Sequence, residues 1–313
     1  MRKYRHTLDL FKDICDEMVA PSLSGRSDLG LSEREDYINA VLCLQSLPSR
    51  HDSAKVPGAK SRFDDFVAVH IEMTFSVHGT ASFLGWHRVY LWLYEKALRD
   101  ECGYKGYQPY NNWARHASDP IKSPIFNGNA TSLSGNGAKY PYDGVVVGFG
   151  PSGLIPADEG GGCDRLLLAQ LPSMYQPILK LTVWAITLDV SDGTEIGSFQ
   201  NKMQGVGLQN DWGVHTAGHY TIGGDPAGDF FVSPGDPAFY LHHGMIDRVW
   251  WIWQNQDLPA RLRQISGGTT MGNFPPSKNG TLDDDLEYGV LGDKLKLGNA
   301  LDTLAGPFCY VYV

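Results

Sequence analysis

Apolar positions recur at helical spacing in five stretches of the chain. The first runs from Ser32 to Leu47, where Ser32 with Glu35 three residues on forms a capping-box pattern and Pro48 stops the helix. The second spans Ser61 to His78, with Gly79 marking its end. The third spans Phe83 to about Asp100, closed by Cys102-Gly103. Two more follow at about 209–221 and 237–256, the last opened by Asp236 as N-cap and Pro237 at the first helical position.

Between these, residues 108–164 are dense in Gly, Pro, Ser and Asn yet keep Tyr, Trp and Phe that need burial. That mixture predicts long irregular loops of one domain, not a linker. Ser266 to Asn299 is again turn-rich, and acidic at Asp283, Asp284 and Asp285. No repeat or low-complexity tract occurs. The pattern predicts a mainly α protein, one domain over 1–313, in which a helical bundle is wrapped by long loops with little β.

Composition narrows the class without changing this picture. With 42% hydrophobic and 19% charged residues the chain buries a sizeable core, and its 36 glycines follow no period. No apolar run reaches the roughly 18 residues of a membrane span, so no membrane association is expected. A net charge of −9 argues against nucleic acid as a partner. Five cysteines (Cys15, Cys43, Cys102, Cys163, Cys309) lie far apart with no C-x-x-C pair, and leave room for two bridges and one thiol. Asn129 and Asn279 head N-x-T sequons in turn-rich stretches. Met1 to Val19 carries charges throughout and lacks an apolar signal-peptide core. The expectation is a secreted protein shown without its signal peptide, with an intracellular one as the alternative.

The histidines carry the chemistry. Of ten, His70, His78, His87, His215, His219, His242 and His243 fall in two short windows within helical pattern. His215 and His219, at i and i+4, stack on one helix face and offer two nitrogens to one metal. Thr216 stands where zinc proteases carry their glutamate base. Adjacent histidines on a helix point about 100° apart, so only one of His242 and His243 is expected to face the same metal. His70, His78 and His87 repeat the theme, and two trios on neighbouring helices predict two metals face to face. Imidazoles without carboxylate or thiolate suit copper, and less specifically zinc or nickel, and a dinuclear all-histidine pair points to copper that binds dioxygen.

With these residues in order, the sequence resembles the type-3 copper proteins of the tyrosinase/catechol oxidase family, and most closely the short fungal polyphenol oxidases. The first copper motif is similar over Asp65 to Arg88, ending Phe83-Leu84-Gly85-Trp86-His87-Arg88. The second is similar over His215-Thr216-Ala217-Gly218-His219 and Asp236 to Arg248. The segment from Cys102-Gly103-Tyr104 to Trp113 matches as well, whereas residues 1–30 do not match clearly and read as an N-terminal extension. The resemblance implies a four-helix bundle holding a dinuclear copper centre. His70, His78 and His87 would bind one copper, and His215, His219 and His243, the second of the doublet, the other. It also implies that Asp236 and Asp247 fix the helix and its arginine partners, and that Phe239 packs beside the second copper. Tyr310-Val311-Tyr312 is similar to the Y-x-Y that closes the family's core, so no C-terminal lid domain is expected.

Departures from the family pattern refine the expectation. Ser76 stands where many members carry a cysteine crosslinked to the second histidine ligand. Thr216 stands where monophenolases often have Asn, and Gln204 where they have a Glu that orients a water. Gln cannot carry charge. Phe230, thirteen residues before His243, occupies the gate position, beside Gly223, Gly224 and Gly228. The implied reaction is oxidation of small o-diphenols or o-aminophenols by O2 to o-quinones or quinone imines, with weak or no monophenol hydroxylation. Its alternatives are a full tyrosinase, a haemocyanin-like O2 carrier, a zinc hydrolase using Glu72, and a metal-free bundle.

Overall fold

A computed structural model describes residues 22–23, 25–116, 119, 123–133, 135, 195–205, 213–223 and 226–312. Eight α-helices lie among them: α1 Leu31–Ser46, α2 Arg62–Val77, α3 Phe83–Cys102, α4 Trp113–His116, α5 Ile196–Gln204, α6 Gly213–Ile222, α7 Ala238–Gln256 and α8 Leu258–Arg261. Strand content is small. β1 (Ser22–Leu23) pairs in parallel with β4 (Val311–Tyr312), and β2 (Asp285–Leu286) pairs antiparallel with β3 (Leu295–Lys296). No helix among the described residues is long and apolar enough to cross a membrane.

Local chemistry sets the helix ends. At α2, Ser61 Oγ accepts from Asp64 N–H at 3.2 Å and the Asp64 carboxylate accepts from Ser61 N–H at 2.9 Å. This closes a capping box, and Asp64 and Asp65 in the first turn favour the helix dipole. Its other end stops at Gly79, whose φ of 61° lies in the left-handed region. α3 stops at Gly103 in the same way, with Tyr104 N–H returning to the Leu98 carbonyl at 3.1 Å. The expected cap of α1 shifts by two residues: the helix begins at Leu31, and Glu33, not Glu35, accepts from the Gly30 N–H at 2.6 Å. α7 starts one residue late at Ala238, while Asp236 still caps it by accepting the Ala238 N–H at 2.8 Å. Of the helix expected over 209–221, positions 209–212 lie outside the described residues, as does most of the predicted loop region up to 164.

The core is aromatic. α3 and α7 are buried on nearly every face and pack against each other, with α1 and α2 against α3 and α6 against α7. Tyr94 and Tyr240 stack at 3.5 Å across the α3–α7 contact, and Phe66 meets Tyr90, Tyr94 and Tyr240 edge-on. A disulfide between Cys43 and Cys102 ties α1 to the end of α3. Cys309 is disulfide-bonded as well, whereas Cys15 and Cys163 lie outside the described residues. Asn129 and Asn279 are both exposed.

Candidate metal centre

α2 carries His70 and ends at His78, and α3 brings His87 back alongside. Ring centroids are 5.1 Å apart for His70–His78, 5.0 Å for His78–His87 and 6.0 Å for His70–His87. In each ring Nδ1 meets a backbone carbonyl: His70 that of Phe231 at 2.7 Å, His78 that of Thr74 at 2.8 Å, His87 that of Phe83 at 2.8 Å. A carbonyl only accepts, so Nδ1 donates and Nε2 keeps its lone pair. Nε2 of His70 and of His87 is buried and meets no polar partner. Such lone pairs in a dry site are costly unless a cation takes them.

α6 sets His215 and His219 on one face, and α7 places His242 and His243 beside them. His219 Nε2 lies 3.2 Å from His215 Nε2 and 3.1 Å from His243 Nε2. Two nitrogens bound to one metal at about 2 Å in tetrahedral geometry sit about 3.3 Å apart, so this spacing suits a shared ion. By mutual distance alone the trio is His215, His219 and His242, whose ligand nitrogens lie within 4.8 Å of one another, with His242 in place of His243. Hydrogen bonding separates the two neighbours. Trp113 Nε1–H donates to His242 Nδ1 at 3.0 Å, and His242 Nε2–H donates to the His215 carbonyl at 2.9 Å. Both nitrogens of His242 are spent within the protein. Its ring occupies space that only a glycine leaves: a Cβ at Gly218 would lie 2.1 Å from His242 Cε1.

The two trios adjoin. His87 and His243 stack at 4.5 Å with 15° between planes, and His78 lies 6.4 Å from His215. Burial holds all seven histidines neutral, lowering His70 to about 3, His78 and His242 to about 4, and the other four well below the ordinary value. Neutral imidazole is the metal-binding form, so no proton needs displacing near neutral pH.

Aromatic rings close the site. Phe239 stacks on His243 at 4.1 Å and lies 5.5 Å from His70 and 5.6 Å from His219. Phe230 covers His78 at 4.9 Å, and Phe231 and the exposed Phe75 continue the aromatic surface outward. Thr216 Oγ1 donates to the Gln204 backbone carbonyl at 2.8 Å, while the Gln204 side-chain oxygen accepts the Gly79 N–H at 3.3 Å. Ser76 is exposed and donates to the Met73 carbonyl. Glu72 is exposed too. Of the predicted loop glycines, Gly224 lies outside the described residues.

Two clustered groups of neutral imidazole, free of carboxylate and thiolate, fit copper as donor sets. Comparison with known proteins agrees. Residues 60–256 match the common central domain of tyrosinase. The chain belongs to the tyrosinase family. Tyrosinase P of Aspergillus terreus is 36% identical over 96% of this chain and 94% of its own. The N-acetyl-6-hydroxytryptophan oxidase ivoB of Emericella nidulans is 34% identical over 90% and 88%. A mutant polyphenol oxidase from Thermothelomyces thermophila superposes with a TM-score of 0.82 at 33% identity, covering 99% of this chain and 95% of that one. This tyrosinase-family protein is therefore an oxidoreductase with two histidine trios positioned for a dinuclear copper centre.

The framework behind the site follows the expected pattern. Arg88, next to His87, donates to Asp247 Oδ1 at 2.6 Å, and its guanidinium lies 3.8 Å over the Trp250 ring. Tyr310 and Tyr312 hydroxyls both donate to Asp247 Oδ2 at 2.6 Å. The Y-x-Y segment thus satisfies the remaining lone pairs of a buried ion pair, and removing one partner of such a pair costs about 3–5 kcal/mol. Two features were not read from the sequence: Trp113 as the partner of His242, and the Phe231 carbonyl as the anchor of His70. The Thr74 and Phe83 anchors lie four residues before their histidines, a helical spacing that could have revealed them.

Proposed function

We propose that this tyrosinase-family oxidase converts small o-diphenols, and o-aminophenols, to o-quinones and quinone imines, with little hydroxylation of monophenols. In this reading His70, His78 and His87 hold one copper through Nε2, and His215, His219 and His243 hold the other. His242 is the brace behind them. When bound, the copper pair supplies O2 activation and the two-electron oxidation of the diphenol. Overall, two diphenols give up four electrons and four protons as one O2 becomes two waters.

The chain's own part is positional. Backbone carbonyls fix the ring tautomers of the first trio. Phe239 packs behind His243, and the half-buried Phe230 over His78 supplies an aromatic surface against which a phenol ring can lie. The observation that carries the diphenol preference is the state of Gln204 and Thr216. Neither carries charge, and both are committed to protein partners, Gly79 and the Gln204 carbonyl. A monophenol must lose its phenolic proton (pKa ≈ 10) to bind metal as phenolate, and no carboxylate at either position assists that loss. The Cys43–Cys102 bridge supports placing the protein in an oxidising, secretory environment.

The test compares initial rates on a monophenol and its matching o-diphenol, with copper counted on the same sample. The diphenol should react faster. Equal rates at full copper loading would overturn the roles given to Gln204 and Thr216, and absence of turnover on both would favour an O2 carrier.

A further inference from the structure

The loop ahead of α7 touches both trios. Its Phe231 carbonyl accepts from His70 Nδ1 at 2.7 Å, and the Ala227 backbone hydrogen-bonds the ring of His219. Between them Phe230 sits over His78 at 4.9 Å. One short segment thus fixes a ring in each trio and carries the aromatic cover of the site. Its shape is set in large part by one side chain. Asp229 Oδ1 accepts from the Phe231 N–H at 2.7 Å and from the Val232 N–H at 3.0 Å, and its own N–H returns to the Pro226 carbonyl at 2.9 Å.

An aspartate that accepts two amides in a loop is commonly a turn former and nothing more. Here the gripped residue is the one that holds the histidine. Phe231 is fixed at its N–H by Asp229 and offers its carbonyl to His70. The Val232 N–H that Asp229 also holds lies in the same peptide plane as that carbonyl, so the carboxylate orients the acceptor of His70 Nδ1–H in a site buried from water.

We propose that Asp229 is a positioning residue for the dicopper reaction: through the Phe231 backbone it holds His70 in its metal-binding tautomer and Phe230 in place over His78. The inference rests on the assignment of His70 to the first copper. Loss of a partner behind a metal-bound histidine typically weakens metal affinity by about ten- to a hundredfold. A charge is not required, because a carboxamide oxygen can accept the same two N–H groups.

The test is copper(I) affinity, measured by competition with a chromogenic chelator, alongside apoprotein melting and the KM and kcat for an o-diphenol. Asp229→Ala should bind the copper held by the His70 trio about tenfold or more less tightly and show a changed KM as Phe230 moves. Asp229→Asn should recover most of both. Unchanged copper affinity in Asp229→Ala, or a loss in Asp229→Asn as large as in Asp229→Ala, overturns the proposal. If Asp229→Ala does not accumulate folded, Asp229→Ser with its shorter acceptor is compared with Asp229→Asn. An affinity in Asp229→Ser below that of Asp229→Asn supports the role, and one equal to wild type overturns it. Wild type that binds fewer than two coppers would instead remove the metal assignment on which the inference stands.

Discussion

The two histidine trios solve the same problem in different ways. In the first, every ring is gripped from behind, with Nδ1 of His70, His78 and His87 each on a backbone carbonyl at 2.7–2.8 Å. In the second, His243 Nδ1 meets no hydrogen-bond partner. That ring is held instead between two flat surfaces, Phe239 at 4.1 Å and His87 at 4.5 Å. A hydrogen bond fixes both tautomer and direction, whereas stacking fixes the ring plane and leaves rotation within it cheaper. His243 is therefore the ring whose geometry depends most directly on stacked side chains, whereas all three rings of the first trio are set by hydrogen bonds.

The largest effect should come from removing the ring that stacking holds and comparing it with its neighbour. His243→Ala should reduce copper from two to one per chain and abolish diphenol oxidation. His242→Ala should keep two coppers, because its nitrogens already serve Trp113 and the His215 carbonyl. It should still lose stability, at about 1–3 kcal/mol for each buried polar group left without a partner. Metal analysis with thermal melting on both variants checks this. The reverse result, with copper lost in His242→Ala and kept in His243→Ala, would exchange the roles of the doublet.

That doublet also marks where the sequence stops being legible. Helix ends were readable at Ser61, Gly79 and Gly103 because caps act over three or four residues. The start of α1 slipped by two because Glu33 and Glu35 both stand three residues past a possible cap, and local pattern cannot rank them. The i, i+4 pair His215 and His219 was readable for the same local reason. Residue spacing left His242 and His243 open, and family resemblance favoured the second. What separates them physically is an indole N–H supplied from 129 residues away. Likewise the anchor of His70 comes from 161 residues along the chain. Such pairings exist only once the fold brings the segments together.

Acid should expose the metal's contribution to the trios. An unfolded histidine titrates near 6.5. In the folded apoprotein burial lowers His78 to about 4 and His70 to about 3, and the second trio lies well below the ordinary value. Between those values the unfolded chain binds more protons than the folded one, so stability falls as pH falls. The loss is up to about 1.4 kcal/mol per pH unit for each histidine, and it is absent above pH of about 7. Apoprotein melting should therefore be level from pH 7 to 8 and drop steeply towards pH 5, with the copper-loaded protein dropping later because bound metal competes with protons. An apoprotein equally stable at pH 5 and 7 would contradict the neutral burial of these rings.

The smallest effect is the most direct probe of the difference between the trios. Phe239→Leu keeps an apolar side chain of similar reach but removes the flat face on His243. Aromatic stacking contributes about 0.5–1.5 kcal/mol beyond burial, so affinity for one copper should fall about two- to twelvefold. The other copper should stay at wild-type affinity, since the Phe231, Thr74 and Phe83 carbonyls still hold its rings. Phe239 also lies 5.5 Å from His70, edge-on, which makes the test a fair one. If chelator competition shows both coppers weakened equally, that edge contact matters as much as the stack, and the hydrogen bonds behind the first trio do not protect it. If only one weakens, His243 owes its geometry to a side chain that a single substitution can remove, while the first trio is held by backbone carbonyls, of which that of Phe231 depends in turn on the Asp229 side chain.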